Sequence, residues 1–323
     1  MWQLRSRVNQ MRAALAAGSA LAALAISPEA AAFCRTRTCE FSNEISCPED
    51  DLTGCFTGGV PVFWAQSCFG FAVQKDGSVE EDISAAELEA IVDEGFRIWS
   101  EVDCGGGATP PISAASQGLI ACGDVEYNCE EPEANTNVIA FRDDFVDTVN
   151  FRLGTIALTT LTANLRRGEI FDADIEINSR DEDFSIGPSE NPGLERDLRG
   201  VIHHELGHLL GLGHSVERTA LMFPAYEGRI EPAADDITAI CNVLPGAAGD
   251  VDCSASALSP DAGCLGSNIG CSTPVTVEDP GGGCGCRLGA SSRAAAGPTA
   301  GGGAVLLGLL GLLRRGRRAQ RVL

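Results

Sequence analysis

Residues 204–214 read His-Glu-Leu-Gly-His-Leu-Leu-Gly-Leu-Gly-His, and they contain three of the four histidines of the chain. His204 and His208 are four residues apart, so a helix would place both imidazoles on one face, as shared coordination of one metal ion requires. Glu205 follows the first of them, where its carboxylate could take a proton from a water molecule bound to that ion. The spacing therefore predicts a metal site on a helix, with a carboxylate beside it.

The last four residues of this stretch supply a third candidate ligand. Glycine turns sharply without steric cost, so Gly211 predicts the end of the helix. The turn would bring His214 back as a third ligand and leave the fourth zinc position open for water. A buried helix with hydrogen-bonded core histidines is the alternative, but the rest of the chain has only one other histidine. The complete pattern H-E-x-x-H-x-x-G-x-x-H resembles that of the metzincin metalloproteases.

The sequence after the third histidine resembles the matrixin branch of that family. Ala220-Leu221-Met222-Phe223-Pro224 lies at the spacing of the matrixin methionine turn, in which Met222 would form an apolar floor beneath the metal. Ser215, directly after the third histidine, is also similar to matrixins rather than to astacins or serralysins. Pro224 and Tyr226 resemble the Pro-x-Tyr segment that walls the primed-side substrate pocket in matrixins. A core methionine and an ordinary proline turn are the alternative interpretation.

The resemblance implies a fold and a reaction for about residues 60–245. The fold is the α+β metzincin fold, with a twisted five-stranded mixed sheet, three helices and an active-site cleft between upper and lower subdomains. His204, His208 and His214 would bind one catalytic zinc ion, which lowers the pKa of its water towards about 7. Glu205 would take the proton of that water as general base and pass it to the leaving amine. The expected partners are protein or peptide substrates.

The same resemblance assigns the strand that binds substrate. Residues 156–159 would form the sheet-edge strand above the cleft, to which a peptide substrate adds as a further antiparallel strand. Ile156 and Ala157 would line the substrate pocket. In the family, histidines in this part of the chain hold a second, structural zinc ion. Leu158 and Ile170 occupy two of the corresponding places, so we expect no structural zinc with histidine ligands.

A structural calcium ion is a further expectation. Phe171-Asp172-Ala173-Asp174 resembles the matrixin Phe-Asp-x-Asp strand, whose acids help bind calcium. Asp172 and Asp174 are two residues apart and so lie on one face of a strand. Two solvated charges are an equally weighted alternative.

The periodicity of apolar residues predicts the other elements. Ser84 and Glu87 form a capping box at the start of a helix whose core positions include Trp99. His203 points about 100° away from the first ligand on an ideal helix, so we exclude it as a zinc ligand. The expected strands are 60–73, 138–141, 156–161 and 170–177. Two further helices are expected at 195–210 and 233–244. Residues 104–135 are expected to form a loop or insertion.

The N-terminus predicts export. Arg5, Arg7 and Arg12 precede a short apolar run, and three alanines end at Ala32, so residues 1–32 have the pattern of a secretory signal peptide. An uncleaved membrane anchor is the minor alternative. Residues 33–59 contain four cysteines and are expected to be a disulfide-stapled segment. The Pro-Arg-Cys-Gly switch sequence of matrixin propeptides is absent. A second interpretation of residues 33–59 is a short latency segment that offers Cys34, Cys39 or Glu40 to the metal.

The C-terminus predicts a sorting signal. Residues 246–283 are rich in glycine and serine and form the expected stalk. Residues 284–323 begin with two cysteines and contain an uncharged run from 294 to 313, which is followed by five arginines. An uncharged run of about 20 residues can just span a bilayer, and the arginines should stay cytoplasmic. This arrangement resembles the myxobacterial C-terminal sorting signal, whose tail an intramembrane protease removes. A plain tail anchor is the alternative.

Together the two ends predict an exported protein, either secreted or held at the cell surface or outer envelope after transient anchoring in the inner membrane. Signal peptidase and a C-terminal sorting protease are the expected processing partners, and membrane contact is expected only through the C-terminal segment.

All 14 cysteines follow Phe33, which favours disulfides in an oxidising compartment. The chain has 23 basic and 45 acidic residues. The leader contains three of the basic residues and one of the acidic residues, and the segment from Cys284 contains seven basic residues and no acidic residue. The 13 basic and 44 acidic residues between them exclude nucleic acid as an expected partner.

Two other functions fit some of these features. A surface-attached adhesion or binding module could keep a non-catalytic zinc ion, but such a site would not need the carboxylate of Glu205. A zinc hydrolase acting on a non-peptide bond is the second alternative, and the peptide-binding edge strand and Pro-x-Tyr wall argue against it.

Overall fold

The computed structural model describes residues 32–41, 47–51, 53–125, 127, 135–143, 154–188, 194–244 and 286–293 of the 323-residue chain. The predicted stalk lies outside these residues, as do all of the predicted leader except Ala32 and all of the predicted sorting signal except 286–293. Within the described ranges, no helix has the length and apolarity needed to cross a membrane.

Three α-helices lie where the sequence predicts them: α1 (Ala85–Ser100), α2 (Leu198–Leu209) and α3 (Ala234–Val243). The predicted capping box opens α1. The Glu87 amide donates to the Ser84 hydroxyl at 3.2 Å, and the Ser84 amide donates to the Glu87 carboxylate at 2.8 Å. Both interactions satisfy amide groups that have no partner within the helix.

Helix α2 begins three residues later than predicted. Residues 195–197 pair as a short strand with residues 183–185, so they are not available for the first helical turn. Asp197 is the N-cap, and its carboxylate accepts a hydrogen bond from the Arg199 amide at 3.1 Å.

Within the described residues, eleven β-strands accompany the helices. In chain order they are β1 (Phe33–Arg35), β2 (Phe63–Trp64), β3 (Cys68–Gln74), β4 (Ser113–Ile120), β5 (Asn137–Phe141), β6 (Thr155–Ala163), β7 (Glu169–Ile177), β8 (Asp183–Ser185), β9 (Glu195–Asp197), β10 (Leu212–Ser215) and β11 (Cys286–Arg293). The main sheet has the order β11-β6-β7-β5-β3-β4, and β2 pairs with β7. Strands β2, β3, β4, β5 and β7 are paired in parallel, whereas β6 and β11 are antiparallel to their neighbours.

The predicted fold class is confirmed, because β3 to β7 form a mixed five-stranded sheet that packs with three helices. Apolar side chains of β3, β5, β6 and β7 share one core with α1 and α2. Two tryptophans fix α2 in that core. The Trp99 indole donates to the carbonyl of His203 at 2.9 Å, and the Trp64 indole donates to that of Leu209 at 2.7 Å.

Two predicted segments differ from the structure. Residues 104–135 were expected to lack strands, but residues 113–120 form β4, which pairs in parallel with β3. Its composition of small and polar residues carries a weak strand signal, and the neighbouring strand provides the pairing that stabilises it. The expected strand 60–73 is interrupted after Trp64 and resumes at Cys68.

The strand predicted to form the sheet edge is not at the edge. β11 pairs with β6 from Cys286, opposite Ala163, to Arg293, opposite Thr155. All nine residues of β6 are buried. A sheet edge presents unpaired amide and carbonyl groups that another strand can bind, and here a distant segment of the same chain binds them.

Disulfides fasten the N-terminal segment and α3, as the number of cysteines predicts. Cys34 is bonded to Cys55, Cys39 to Cys47, and Cys104 to Cys241 of α3. Cys68 and Cys122 are disulfide-bonded as well. Because Cys34 and Cys39 are both oxidised, neither can offer a thiolate to the metal, and their role here is structural.

Candidate active site

Helix α2 and the turn after it bring the three predicted ligands together. His204 and His208 are one turn apart on α2, and Gly211 has φ +97°, a conformation that favours glycine, directly after the helix. The chain then reverses into β10, which carries His214 and pairs with β1 of the N-terminal segment. The nearest ligand atoms of the three histidines all lie within 4.8 Å of one another, the only such group of three or more metal-binding side chains among the described residues.

Hydrogen bonds to backbone carbonyls orient the two helical imidazoles. His204 Nδ1 lies 2.7 Å from the Leu221 carbonyl oxygen, and His208 Nδ1 lies 2.8 Å from that of Leu212. A carbonyl can only accept, so each Nδ1 carries the proton and each Nε2 keeps its lone pair for a metal. His208 Nε2 lies 3.2 Å from His214 Nε2. Ligand nitrogens about 2.0–2.1 Å from a tetrahedral zinc ion would be roughly 3.3 Å apart.

The burial of the site also fits a metal. His204 Nε2 is buried and has no hydrogen-bond partner in the described structure, which is costly unless another species binds it. Burial lowers the pKa of His204 to about 4 and the pKa of His208 well below its usual value, the neighbouring imidazoles adding to the second effect. Both rings are therefore neutral at neutral pH, as a zinc ligand must be.

His203 is not part of this group, as its position on the helix predicts. Its Nδ1 lies 2.6 Å from the carbonyl oxygen of Ile230, on the other side of α2. Burial lowers the pKa of His203 as well. It is a buried histidine held by the backbone next to the metal site.

Strand β6 holds the predicted general base. The Glu205 side chain is fully buried, and Thr159 Oγ1 lies 2.6 Å from Glu205 Oε2 and 3.1 Å from the Glu205 carbonyl oxygen. A hydroxyl donates one hydrogen, so Thr159 positions either the carboxylate or the backbone of the same residue. This contact joins the sheet to the active-site helix at the residue on which the proposed chemistry depends.

The predicted methionine turn lies directly below α2. Met222 is buried, and a Cβ atom placed on Gly207 would overlap its sulfur, so a larger residue at that position would displace the methionine side chain from the helix. The turn also makes two hydrogen bonds to the ligand segments. Leu221 accepts from His204, and the Met222 carbonyl accepts from the Ser215 amide at 2.9 Å.

Asp236 of α3 holds the methionine turn in place. Its carboxylate is fully buried and accepts from the amides of Leu221 at 2.6 Å, Met222 at 3.0 Å and Ala233 at 2.8 Å. Burial raises the pKa of Asp236, while these hydrogen bonds act in the opposite direction. A chain of contacts therefore runs from α3 through the turn to the first metal ligand.

We expect Asp236→Asn to destabilise both the fold and the metal site. An asparagine can offer one oxygen, and its NH₂ group would face amides that also donate, at a cost of about 2–3 kcal/mol. Metal affinity should fall by about 10–100-fold, as for other groups that orient a ligand. Thermal unfolding and zinc titration would measure the two effects. Glu231→Gln, at an exposed position in the same segment, is the control. Unchanged values for Asp236→Asn would contradict this role.

A pocket opens beside the first ligand. Among the residues that line it are Ile156, Val201, His204, Tyr226 and Arg229. Two of the predicted pocket residues are thus present, namely Ile156 and Tyr226. The other two, Pro224 and Ala157, are not among the lining residues: Pro224 lies between Phe223 and Ala225, which both line the pocket, and Ala157 follows Ile156 on β6.

The Tyr226 hydroxyl is fixed at the pocket wall. It accepts a hydrogen bond from the amide of Asp197, the N-cap of α2, at 2.7 Å. The wall is thereby tied to the start of the helix that carries the histidines. Burial raises the pKa of Tyr226, so the phenol is neutral at physiological pH.

The predicted calcium ligands lie together on the other face of the sheet. Asp172 and Asp174 are both buried, and the Val138 amide donates to Asp174 at 2.8 Å. Burial raises the pKa of Asp172 to about 7; burial and the Asp172 charge raise that of Asp174 well above its usual value. Asp172 Oδ2 and Thr160 Oγ1 are buried without a hydrogen-bond partner among the described residues.

Two residues of the site could not be predicted from any sequence motif. Thr159 and Asp236 both act through contacts with residues distant in sequence, Thr159 with Glu205 and Asp236 with the methionine turn. The two adjacent acids of α3, Asp235 and Asp236, indicate only that acids favour the first turn of a helix. The burial of Thr159 and Asp236 is visible only in the folded chain.

Comparisons with known proteins agree with this geometry. Residues 139–244 match the family model described as Matrixin. The chain is 51% identical over 53 residues to Metalloendoproteinase 5-MMP of Arabidopsis thaliana, 43% over 47 residues to Metalloendoproteinase 1-MMP of the same plant, and 49% over 47 residues to Metalloendoproteinase 1 of Glycine max. These matches cover 16%, 14% and 14% of this chain and 15%, 13% and 15% of the relatives. Residues 139–244 are thus similar to the Matrixin family, and the chain spans only a small part of the curated relatives that it matches.

Proposed function

We propose that this protein is an exported, zinc-dependent endopeptidase that uses Glu205 as its general base. One observation carries the proposal: three histidine ligand atoms lie within 4.8 Å of one another, with the buried carboxylate of Glu205 on the same helix. A site that only stores or structures a metal has no need for a carboxylate held beside it by the sheet. The pocket next to His204 provides a place for a substrate side chain.

The residues of the chain divide the reaction between them. His204, His208 and His214 would hold the zinc ion, which supplies Lewis-acid activation of a water molecule and of the scissile carbonyl. Glu205 takes a proton from the attacking water and delivers it to the amine that leaves. Thr159 keeps the carboxylate beside β6, the strand to which a peptide backbone would add once β11 is displaced from it. Because the site is buried, the interactions of the zinc ion and of Glu205 with the reacting groups would be stronger than they are in water.

Metal removal tests the proposal. A chelator should abolish peptide hydrolysis by the purified full chain, and one equivalent of zinc should restore it. Magnesium, which prefers oxygen ligands, should not restore activity at a site made of three imidazoles. Hydrolysis that survives complete removal of zinc, verified by metal analysis, would overturn the proposal.

The substrate class follows from the backbone geometry and the pocket. A peptide that adds antiparallel to β6 is held by main-chain hydrogen bonds whatever its sequence, and a side chain that enters the pocket adds preference. The residues lining the pocket are largely apolar, so we expect an apolar side chain directly after the cleaved bond. Ile156, Ala157, Pro224 and Tyr226 are the residues assigned to this subsite.

We also assign a structural calcium ion to Asp172 and Asp174. Two buried acids on one strand face, with unpartnered oxygens at Asp172 and Thr160, are expensive without a cation. Calcium binds six to eight oxygens, so the remaining ligands would be backbone carbonyls, water or residues outside the described ranges. The alternative in the absence of calcium is a shared proton, because two adjacent buried carboxylates do not both ionise readily.

Asp174→Asn distinguishes these states. Without calcium, Asp172 and Asp174 stay protonated in the folded protein at pH values above about 4, where the same acids of the unfolded chain have released their protons. The free energy of unfolding therefore falls as the pH rises towards and beyond 7. Asparagine mimics the protonated acid and should raise the free energy of unfolding at pH 8 by about 1–3 kcal/mol, an advantage that shrinks as the pH falls. Added calcium should stabilise the unsubstituted chain and not the variant. Asp183→Asn, at an exposed position, is the control. Equal responses of both variants to calcium would refute the assignment.

Export and sorting complete the proposal. The leader pattern of residues 1–32 and the disulfides support passage into an oxidising compartment. Residues 284–323 would direct the protein to the cell surface or outer envelope or to secretion, with signal peptidase and a sorting protease as processing partners. Intact-mass analysis of the protein from its own cells would locate both cleavage sites.

A further inference from the structure

The outermost strand of the sheet comes from the C-terminal part of the chain. β11 follows α3 after an intervening segment, residues 244–285, and pairs antiparallel with β6 along almost its whole length. It also contacts α2 and the short 3₁₀ turn at Thr38–Phe41. β11 therefore lies against the sheet edge, the active-site helix and the N-terminal segment at once.

The part of β6 that β11 covers is a wall of the active site. Thr159, which contacts Glu205, is opposite Ala290 of β11. Leu158 is opposite Ser291, and the pairing shifts register between Ser291 and Arg293. That shift falls beside Ile156, which lines the pocket next to His204.

We propose that residues 286–293 are an intramolecular inhibitor strand, which occupies the β6 edge and excludes peptide substrates from it until it is displaced. The proposal rests on the endopeptidase function proposed above. A peptide held by backbone pairing needs the same amide and carbonyl groups of β6 that β11 already uses. Both cannot pair with one edge at the same time.

The tether makes a weak strand an effective competitor. A segment on the same chain as its site pairs with it intramolecularly, so its effective concentration does not fall when the protein is diluted, whereas a substrate competes only at its own free concentration. The two arginines of the strand, Arg287 and Arg293, give it a charge opposite to that of the chain from Phe33 to Gly283, which has 44 acidic and 13 basic residues.

The composition of β11 also allows its release. Gly289 in the middle of the strand lowers strand stability, because glycine loses more conformational freedom than other residues on pairing. A terminal strand that is paired along one side opens more readily than the central strands of the sheet. Cleavage of the chain before β11, or competition by a tightly bound substrate, would therefore free the edge.

Proline substitutions test the pairing directly. Proline has no amide hydrogen, and successive amides of a strand point to opposite sides, so either Leu288→Pro or Gly289→Pro must remove a donor that faces β6. Ala296→Pro, three residues beyond β11, is the matched control. Hydrogen exchange of the β6 amides reports the position of the strand without any need for catalysis, and kcat/KM for a peptide substrate reports inhibition.

In the full chain we expect slow exchange of the β6 amides, and faster exchange in at least one of the two strand variants. The same variant should show a rise in kcat/KM of about tenfold or more, the range expected when a tethered competitor is removed. The control should change neither quantity. Rapid exchange of β6 in the full chain, or faster exchange in the variants without a rise in activity, would overturn the proposal.

A peptide added in trans separates this proposal from the function on which it rests. The peptide has the sequence of residues 286–293 with Cys286→Ser, which prevents metal binding by a thiol. It should inhibit the activated variant competitively and restore slow exchange of β6. Restored protection with no hydrolysis by any zinc-loaded form would contradict the endopeptidase function while placing the strand on β6; no inhibition of an active variant would contradict the inhibitor strand alone.

Discussion

Glu205→Ala will lower kcat/KM for peptide hydrolysis by about 10²–10⁴-fold, the usual contribution of a positioned general base. Zinc binding will be largely retained, because Glu205 is not among the three residues whose ligand atoms converge. The loss should appear in kcat rather than in KM, since the carboxylate acts on the attacking water and not on the bound peptide. Steady-state kinetics and zinc analysis of the same preparation measure both.

Glu205→Gln is the companion variant, because it keeps the shape of the buried side chain and a group that can accept a hydrogen bond from Thr159. It should fold like the parent chain and be as inactive as the alanine variant, since an amide cannot take the proton. Glu217→Gln, at an exposed position after the third histidine, is the control. Activity of either Glu205 variant near that of the control would refute the assigned base.

His208→Ala will abolish zinc binding at micromolar zinc and activity with it. His208 is the buried ligand whose Nε2 lies 3.2 Å from that of His214, so its loss leaves two imidazoles on one ion. Changing a residue that only orients a ligand already costs about 10–100-fold in affinity, so loss of a ligand should cost more than about a hundredfold. Titration of the metal-free variant with zinc measures this.

His203→Asn is the matched control for this loss. His203 is also a buried histidine of α2 but hydrogen-bonds the Ile230 carbonyl rather than facing the other histidines. This variant can lose stability, but it should still bind one equivalent of zinc. Stoichiometric zinc binding by His208→Ala, or loss of zinc binding by a folded His203→Asn protein, would contradict the assigned ligand set.

Much of the fold and the site core could be predicted from short-range sequence signals. The capping box at Ser84 and the apolar period after it place α1 within a residue, and the four-residue spacing of His204 and His208 places both on one face of α2. Gly211 adopts the positive φ that its position predicts. In each case residues close in sequence determine the local geometry, so no knowledge of the tertiary fold was needed.

The rest depends on contacts between distant segments. Strand β4 has little strand propensity of its own and is stabilised by β3. Asp236 reads as an acid at a helix start, yet it holds the methionine turn through three backbone amides. β11 lies in a segment whose composition predicts a sorting signal, so its pairing with β6 could not be inferred from periodicity.

Metal-dependent peptide hydrolysis through Glu205 is the central claim, and a mixed peptide library tests it most directly. The zinc-loaded full chain and the strand variant, Leu288→Pro or Gly289→Pro, that shows faster exchange of β6 would each be incubated with the library beside their Glu205→Ala counterparts, and the products identified by mass spectrometry. We predict cuts only where Glu205 is intact, more of them in the strand variant, with an apolar residue directly after each cut. Equal cutting with and without Glu205, or no cutting by either folded, zinc-loaded parent, would contradict the account.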